Sequence, residues 1–480
     1  MPFLDRLRHW AGERPDATAV VVAGQRLGWA GLCEAAAAQV AAAPAVTVLS
    51  EHNSVQFAVA FAAAVAGERQ CAVLDPSWPQ QLQDTITDRI RAAAPSAVAG
   101  GSPAPGSVAG AAAAEVELID GPADSRFLIG LTSGTTAVPK AFTRTRRSWQ
   151  KSFEASIEFF GLTPQDRTLA PGPLAASLNL YALAECLYAG SEFHSLARFD
   201  VGDAHAAVVH DGITRLVLVP TMLRLLSERG LSGGVDASGI RTIICAGSKL
   251  DARTLEAARR WAPNATIFEY YGASELSFVS GAGLLPGQAT APGGTGIGRP
   301  FPGVEVRILD DAGAERPDGR DGNICVRSGM VSEGYLWGDD GDALRSFAGW
   351  YTVGDQGYVA DGTLHMLGRR SDMIITAGTN VYPHEVELAL ASVPGVASAV
   401  AAGRPDDIRG QRVVAAVVLS HGGVTATQLT AGVEDVLPRS KRPLEFFALA
   451  ELPVTDRGKL SRQLLLDWIA GNDPRIRRLG

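Results

Sequence analysis

Short apolar runs alternate along the chain with longer alanine-rich segments. Apolar, β-branched runs bounded by turn residues predict strands at Ala45–Leu49, Cys71–Leu74, Arg126–Leu131, Arg215–Val219 and Arg241–Ala246. Between them, length and alanine content predict helices at Ala36–Ala43 and Val55–Val65. Strands that alternate with helices at this spacing favour α/β layers with mainly parallel sheets. In such folds, functional loops lie beyond the carboxyl ends of the strands.

The pattern changes toward the C-terminus. A Gly/Pro-rich segment from Pro286 to Gly303 precedes the strand-like runs Val304–Leu309 and Asn323–Val326, which predict a small β-rich subdomain. Beyond Gly368, apolar runs and helical segments predict a compact α+β unit of about 110 residues. Its predicted strands and helices are Met373–Ile375, Pro383–Ala391, Val396–Ala402, Val413–Leu419 and Thr427–Val436. The sequence therefore predicts two domains, residues 1–368 and 369–480.

Composition narrows the class of protein. A chain of 480 residues exceeds what one hydrophobic core usually serves, so at least two domains are expected. Its 46% hydrophobic and 20% charged residues are typical of a globular protein, and its formal net charge of -8 disfavours nucleic acid as a partner. The charged N-terminus is unlike a signal peptide, and no run reaches the ~20 apolar residues of a membrane span. With five scattered cysteines, these features predict a cytoplasmic protein with no membrane partner.

The strongest local signal follows the predicted strand Arg126–Leu131. The sequence there reads Thr-Ser-Gly-Thr-Thr-Ala-Val-Pro-Lys from Thr132 to Lys140. Backbone N–H groups and hydroxyls can donate to phosphate oxygens, and the lysine adds a compact positive charge. The loop is not a Walker A motif, because no Gly directly precedes the lysine and no Ser or Thr follows it. It predicts a phosphate-binding loop, with a plain polar turn as the alternative.

Four later segments carry residues suited to the same ligand. Tyr271 and Glu275 offer a ring that can stack on a base and a carboxylate that can hold Mg²⁺ beside phosphate oxygens. Asp355 stands at an apparent loop start, where its carboxylate can accept hydrogen bonds from ribose hydroxyls. Arg369 offers a cation where the pattern changes, and Lys459 lies on a glycine-containing loop. Taken alone, each segment is better explained as a set of exposed surface residues with no functional role.

In this order and spacing, the segments resemble the acyl-adenylate-forming superfamily of acyl- and aryl-CoA synthetases, nonribosomal peptide adenylation domains and firefly luciferase. The resemblance runs from about Phe127 to Arg462 and includes Gly296–Pro300, Gly334–Tyr335, Gly378–Glu385 and Gly403–Gln411. It implies a large N-terminal domain of packed α/β subdomains, one of them small and β-rich, and a small hinged α+β C-terminal domain. It also implies that acid and ATP, with Mg²⁺, form acyl-AMP and pyrophosphate, and that a thiol then takes the acyl group and releases AMP.

The resemblance gives individual residues a role. Ala176, Ser177 and Gly247 would line the acyl pocket, Ala377 and Gly378 the tunnel for the CoA thiol, and Ser371 would be the hinge. The catalytic residues would be Lys140, Glu275 and Lys459, with Glu275 also binding the metal. Lys459 would be a mobile lysine that offsets negative charge where carboxylate and α-phosphate meet. The residues that would bind the nucleotide are Thr132, Ser133, Gly134, Thr135, Thr136, Tyr271, Gly272, Ser274, Asp355 and Arg369.

The chain departs from the family pattern at three positions. Ala137 stands where the phosphate loop usually has glycine, and it would cost on the order of 1 kcal/mol if that position needs φ > 0. Ala176 stands where a histidine or bulky aromatic residue is common, so two consecutive alanines leave a larger apolar space. Ser371 replaces the Asp or Lys often found at the hinge.

These features predict an ATP-dependent acid–CoA ligase for a bulky apolar or aromatic carboxylic acid. No carrier domain follows Lys459, so the thiol is expected from CoA or a separate carrier protein. One alternative is a partial enzyme that only thioesterifies acyl-AMP made by a separate adenylating enzyme, because of Ala137 and the altered pocket. The other is a nucleotide- or acyl-CoA-sensing pseudoenzyme, which would have no need to retain Lys140, Glu275, Asp355 and Lys459 together.

Overall fold

The computed structural model describes residues 3–93, 117–132, 138–288, 295–339, 341, 343–420, 423–454 and 460–480. Internal contacts divide the chain into two compact units. Unit 1 comprises Met1–Thr290, Ile297–Val306 and Cys325–Val353, and unit 2 comprises Ala291–Gly296, Arg307–Ile324 and Gly354–Gly480. Residues 354–368 thus belong to the same unit as the C-terminal residues. The domain boundary between residues 368 and 369 stays a prediction.

Helices and strands alternate through the described residues. The helices are α1 (Leu4–Glu13), α2 (Trp29–Val40), α3 (Val55–Ala64), α4 (Gln80–Ala93), α5 (Arg146–Phe160), α6 (Ser177–Ala189), α7 (Val201–His210), α8 (Pro220–Gly233), α9 (Ala252–Trp261), α10 (Pro383–Ala391), α11 (Ala426–Glu434) and α12 (Arg462–Gly471). The strands up to residue 300 are β1 (Thr18–Val22), β2 (Gln25–Gly28), β3 (Val46–Leu49), β4 (Gln70–Val73), β5 (Arg126–Thr132), β6 (Lys140–Thr145), β7 (Arg167–Leu169), β8 (Glu192–Ser195), β9 (Arg215–Leu218), β10 (Thr242–Cys245), β11 (Thr266–Ala273), β12 (Ser277–Leu284) and β13 (Arg299–Pro300). The later strands are β14 (Val304–Leu309), β15 (Gly322–Ser328), β16 (Tyr335–Trp337), β17 (Arg345–Phe347), β18 (Trp350–Thr352), β19 (Asp355–Ala360), β20 (Thr363–Arg369), β21 (Ile374–Thr376), β22 (Thr379–Val381), β23 (Val396–Asp406), β24 (Gly410–Leu419), β25 (Glu445–Leu449) and β26 (Ile476–Arg478).

The larger sheet of unit 1 has the strand order β13-β12-β11-β10-β9-β7-β8-β1-β2. Its strands run parallel from β11 to β1 and antiparallel at both edges. Leu216 of β9 and Ile243 of β10 are buried together with Leu223 of α8 and Trp261 of α9. Strands that are covered by helices have nearly continuous apolar sequences, and this is why the sequence pattern predicts them. The predicted α/β layers are confirmed.

A second sheet of unit 1 has the order β16-β6-β5-β4-β3. Strands β3, β4 and β5 are parallel, whereas β6 runs antiparallel to β5 and to β16. Ile129 of β5 and Ala141 of β6 pack with Ile86 and Ile90 of α4. The reversal of direction between β5 and β6 brings both ends of the predicted phosphate loop to one edge of this sheet.

The strands of the predicted β-rich subdomain are present. Strand β14 has the predicted bounds, and β15 is longer than the predicted run Asn323–Val326 at both ends. In unit 1, Val326 of β15 pairs with Tyr351 of β18, which also pairs with β17. In unit 2, the start of β15 pairs with β19, and β19 pairs with β20.

The C-terminal part of unit 2 is an α+β layer structure, as predicted. Its sheet has the order β22-β21-β24-β25-β26, and β23 also pairs with β24. Successive side chains of β24 belong to two different cores. Ala415 packs with Leu390 of α10, whereas Ala416 packs with Leu465 of α12. Successive strand residues point to opposite faces, so one strand serves both cores.

The bounds of one predicted helix are wrong. Helix α2 begins at Trp29 and ends at Val40, instead of covering Ala36–Ala43. Trp29, Leu32, Ala36 and Val40 form its buried residues at helical spacing. Alanine content alone marked only the second half, because the first half contains Trp, Leu and Cys. Among the described residues, no helix is both long and apolar enough to cross a membrane.

Candidate active site

The two ends of the predicted phosphate loop are fixed on neighbouring strands. Thr132, the last residue of β5, lies opposite Lys140, the first residue of β6. The indole Nε1 of Trp337 donates to the backbone oxygen of Pro139 at 2.9 Å, which fastens the loop just before the lysine. The structure thus brings Thr132 and Lys140 together. The remaining residues of the loop, Ser133, Gly134, Thr135, Thr136 and Ala137, lie outside the described residues.

Tyr271 and Gly272 lie at the end of β11, just before the turn into β12. Tyr271 is buried. A Cβ at Gly272 would lie 2.3 Å from the backbone oxygen of Ser277, so no side chain fits there unless the turn moves. Ser277 has a φ of +66°, a left-handed conformation that costs a non-glycine residue roughly 1–2 kcal/mol. The turn between the two strands is therefore tightly constrained.

Glu275 is a buried carboxylate on this turn, 7% exposed, and it is held by residues far along the chain. The Tyr335 hydroxyl donates to its Oε1, and the backbone N–H of Ser332 donates to its backbone oxygen at 2.7 Å. Burial, followed by the negative charge of Glu275, raises the pKa of the Tyr335 phenol. The phenol therefore stays protonated and remains a donor to the carboxylate.

A buried arginine of β6 holds the backbone of the same turn. The Arg144 guanidinium donates to the backbone oxygens of Ser274 and Met330. Burial lowers the pKa of Arg144 to about 10, and the charge of Glu275 opposes that shift. The arginine is therefore still charged at neutral pH, and charge-assisted hydrogen bonds of this kind are the stronger ones.

The residues predicted to line the acyl pocket lie after the carboxyl ends of β7 and β10. Ala176 and Ser177 are exposed at the start of α6, and Gly247 is exposed with a φ of +93°. The Ser274 hydroxyl donates to the Ser177 hydroxyl at 3.2 Å. This contact joins a predicted nucleotide residue to a predicted pocket residue, at the strand ends where α/β folds bind ligands.

An aromatic cluster begins one helical turn further along α6. Tyr181 is on the same helix face as Ser177, because residues four apart are neighbours on a helix surface. The ring of Phe278 lies 5.4 Å from that of Tyr181 and 4.8 Å from that of Tyr270 between centroids. We call Tyr181, Tyr270 and Phe278 the aromatic cluster. The cluster is packed into unit 1, since the ring of Phe278 also stacks on that of Phe301 with 4.5 Å between centroids.

Asp355 and Arg369 lie opposite each other in unit 2, on β19 and β20. The Arg369 Nε is 3.3 Å from Asp355 Oδ1, and the two side chains are 60% and 3% exposed. One detail of the sequence interpretation is wrong, because Asp355 begins a strand and not a loop. Cross-strand pairing places the two residues together, although they are far apart in sequence.

Ser371 and the pair Ala377-Gly378 lie on exposed parts of unit 2. Ser371 belongs to the short 3₁₀ helix Arg370–Asp372. Ala377 and Gly378 are the two central residues of the hairpin between β21 and β22, with φ values of +48° and +77°. Two positive φ values in a two-residue turn indicate type I′ geometry. Lys459 lies outside the described residues.

Comparison with known proteins identifies the family. The model described as AMP-binding enzyme matches residues 7–336, and the model described as AMP-binding enzyme C-terminal domain matches residues 385–459. The chain belongs to the AMP-binding enzyme family. Family membership covers both units, since the matched residues extend from α1 into the C-terminal sheet.

Relatives in this family are CoA ligases. The uncharacterized acyl–CoA ligase YhfT of Bacillus subtilis is 33% identical over 72% of this chain and 68% of its own length. The indoleacetate–CoA ligase of Aromatoleum aromaticum is 32% identical over 72% of this chain and 67% of its own. The structure of Bacillus subtilis o-succinylbenzoate CoA synthetase (MenE) with its acyl-adenylate intermediate matches with a TM-score of 0.78, at 25% identity, over 96% of this chain and 97% of MenE. The predicted fold and the predicted class, an AMP-forming acid–CoA ligase that uses ATP, Mg²⁺ and CoA, are confirmed.

The residues of this AMP-binding enzyme fit Mg²⁺ and ATP. Magnesium prefers oxygen ligands and is usually bound through one or two carboxylates together with substrate phosphates. Glu275 supplies a buried carboxylate, and the hydroxyl of Thr132 neighbours that of Tyr335 beside it. Lys140 supplies a cation at the end of the predicted phosphate loop. Oxygen donors and a cation on fixed strands suit a metal-bound triphosphate.

The sequence pattern assigns no role to two residues of the site. Tyr335 belongs only to a segment shared with the family. Arg144 shares a face of β6 with buried Phe142 and is itself buried. A charged residue at an apolar position of a strand was the available signal.

Proposed function

We propose that this enzyme activates a bulky apolar or aromatic carboxylic acid as its acyl-AMP and transfers the acyl group to CoA. The contact between Ser177 and Ser274 carries the proposal, because it joins the predicted acyl pocket to the turn that bears Glu275. Ala176 and Gly247 add little bulk at the pocket entrance. The aromatic cluster begins one helical turn from Ser177, so an apolar acyl group that reaches past Ser177 would meet rings, which pack well against other rings and against alkyl groups.

The relatives support an acid of this kind. Indoleacetate and o-succinylbenzoate, named for the two characterised proteins above, both carry an aromatic ring. A substrate ammonium would require a carboxylate near the pocket, and Asp200 follows the segment of Ala176 and Ser177 in the sequence. The Oδ1 of Asp200 instead accepts the backbone N–H of Asp203 at 3.0 Å, as the N-cap of α7. Asp200 thus has a structural role, which supports an acid without an amino group.

Each site residue has a role in this proposal. Lys140 and Thr132 hold the phosphates together with the loop between them, Tyr271 stacks on adenine, and Asp355 and Arg369 bind the ribose and the nucleotide. Glu275 binds Mg²⁺, which neutralises phosphate charge when bound. Lys459 offsets the charge where the carboxylate meets the α-phosphate. Ser371 is the hinge, and Ala377 and Gly378 line the path of the CoA thiol.

A panel of acids tests the substrate class. Aryl acids, aryl-acetic acids and straight-chain acids from acetate to palmitate are each incubated with ATP, Mg²⁺ and CoA, and acyl-CoA is scored by mass. We expect the highest kcat/KM for a ring-bearing or other bulky apolar acid. A clear preference for acetate, propionate or an amino acid would refute the proposed class.

Ala176→Trp tests the pocket directly. Added bulk in a filled space costs typically about 1–3 kcal/mol, so the preference should move toward smaller acids by roughly 5- to 150-fold in kcat/KM. Ala38→Trp, which adds the same bulk at an exposed position of α2, serves as the control outside the pocket. If the substrate profile of Ala176→Trp matches that of the unmodified enzyme, Ala176 does not face the acyl group.

A further inference from the structure

Tyr335 is the side chain that holds the Glu275 carboxylate. Its hydroxyl donates to Glu275 Oε1 across 60 residues of sequence. Strand β16 is itself fixed, because Tyr335 pairs with Phe142 of β6 and their rings meet edge to face at 6.2 Å. Gly130 of β5 makes room for the Phe142 ring, since a Cβ at Gly130 would lie 2.2 Å from it. The phenol is thus positioned by packing across three strands of one sheet.

The same hydroxyl also neighbours the phosphate loop. Thr132 is the last described residue before that loop, and its side chain opposes the rise in the pKa of the Tyr335 phenol. Strand β16 further supplies Trp337, whose indole fastens Pro139 at the other end of the loop. One short strand therefore contacts the Glu275 carboxylate and the Pro139 end of the predicted phosphate loop.

A carboxylate that binds a metal needs a defined orientation. A hydrogen bond to one of its oxygens restricts rotation about the Cγ–Cδ bond, and partners of this kind commonly change metal affinity 10- to 100-fold when removed. Arg144 fixes the backbone on which Glu275 stands, through the carbonyl of Ser274. The backbone and the side chain of Glu275 are therefore held by separate residues.

We propose that Tyr335 is a positioning residue that orients the Glu275 carboxylate for the Mg²⁺ of MgATP. The proposal rests on the proposed role of Glu275 as metal ligand. It differs from a purely structural role, because loss of the hydroxyl should weaken the contribution of Mg²⁺ to ATP binding and leave metal-free ATP binding unchanged.

Calorimetric titration of ATP without acid, in excess Mg²⁺ and in EDTA, separates these two quantities. The ratio of the two dissociation constants gives the gain from Mg²⁺. It is measured for the unmodified enzyme, Tyr335→Phe, Arg144→Lys and Glu275→Gln. Tyr188→Phe is the matched control, because its phenol also neighbours a carboxylate, that of Glu154, but lies toward the end of α6.

We expect Glu275→Gln to lose most of the increase in ATP affinity that Mg²⁺ provides, Tyr335→Phe to reduce this gain about 10-fold, and Tyr188→Phe to keep it. The ATP dissociation constants measured in EDTA should agree between Tyr335→Phe and the unmodified enzyme.

Three outcomes would contradict the inference in different ways. If Tyr335→Phe keeps the full gain while Glu275→Gln loses it, Tyr335 has no positioning role and Glu275 remains the metal ligand. A full gain in Glu275→Gln would refute the metal role and the inference together. If Tyr335→Phe weakens ATP binding by the same factor in EDTA as in excess Mg²⁺, the role of Tyr335 is structural and the proposal is wrong. Arg144→Lys should reduce the gain in the same direction, which gives a second variant that keeps the tyrosine.

Discussion

The turn that carries Glu275 and the hairpin that carries Ala377 and Gly378 are held in different ways. Glu275 is 7% exposed, and residues from β6, β16 and the segment before β16 donate to the backbone of this turn or to the Glu275 side chain. The hairpin is exposed at both central residues, and neighbouring Ile375 is 51% exposed. Both turns contain a non-glycine residue at positive φ, Ser277 and Ala377, so the difference lies in burial and not in the backbone.

This difference matches the two roles that we propose. Groups that bind a metal and phosphates work best when packing fixes them before the ligand arrives. A segment that serves only the thiol step, after a domain movement, gains from having few buried contacts. The first region therefore should respond strongly to small steric changes, and the second weakly.

Lys459→Ala should have the largest effect and should act on one half-reaction. Acyl-AMP formation should fall ~10²–10³-fold or more, as for loss of a single donor at a developing charge. Thioester formation from supplied acyl-AMP should change little. The two half-reactions are followed by pyrophosphate release and by acyl-CoA mass, with Lys441→Ala as the control lysine in unit 2. Equal losses in both half-reactions would show that Lys459 is not specific to adenylation.

Gly272→Ala should damage the fixed turn. Its new Cβ would meet the backbone oxygen of Ser277 at 2.3 Å, so the turn must move. Displacement of a site by about 1 Å can cost ~10²-fold in rate, and we expect a loss of that size in adenylation. Gly12→Ala is the control, because a Cβ there meets nothing within 4 Å. Normal adenylation by Gly272→Ala would mean that the turn does not need its backbone contact.

Asp355→Ala should weaken nucleotide binding in both half-reactions. ATP and acyl-AMP both contain ribose, and losing a hydrogen bond to a charged group costs about 1.5–3 kcal/mol. Calorimetry with AMP should therefore show the loss without any turnover. Asp318→Ala, at an exposed carboxylate of unit 2, should bind AMP normally. Unchanged affinity in Asp355→Ala would rule out the ribose role.

Ala377→Gly should have the smallest effect, and it should be favourable. Glycine tolerates the φ of +48° at this position, so unit 2 should gain roughly 0.5–1 kcal/mol of unfolding free energy. Ala399→Gly in β23 should instead destabilise, because glycine weakens a strand interior. Chemical denaturation measures both. Destabilisation by Ala377→Gly would contradict the proposed backbone strain.

The sequence predicted the elements better than the contacts. Strand β14 and helix α10 have the predicted bounds, because apolar spacing is local information. The link between Tyr335 and Glu275 spans 60 residues, and that between Arg144 and Ser274 spans 130. Such contacts depend on strand order, which spacing along the chain does not contain. The resemblance supplied the identities of the candidate residues, and the structure added what holds Glu275.

Product analysis with two sets of substrates tests the central claim most directly. The unmodified enzyme receives either the preferred acid with ATP, Mg²⁺ and CoA, or the matching synthetic acyl-AMP with CoA. We predict acyl-CoA from both sets, with turnover from acid and ATP in the usual ~1–10³ s⁻¹ range of enzymes, and AMP and pyrophosphate as products. If acyl-CoA forms only from the set with acyl-AMP and CoA, and not from acid and ATP, the enzyme is not a complete ligase. Ala137 of the phosphate loop would then be the first position to restore to glycine.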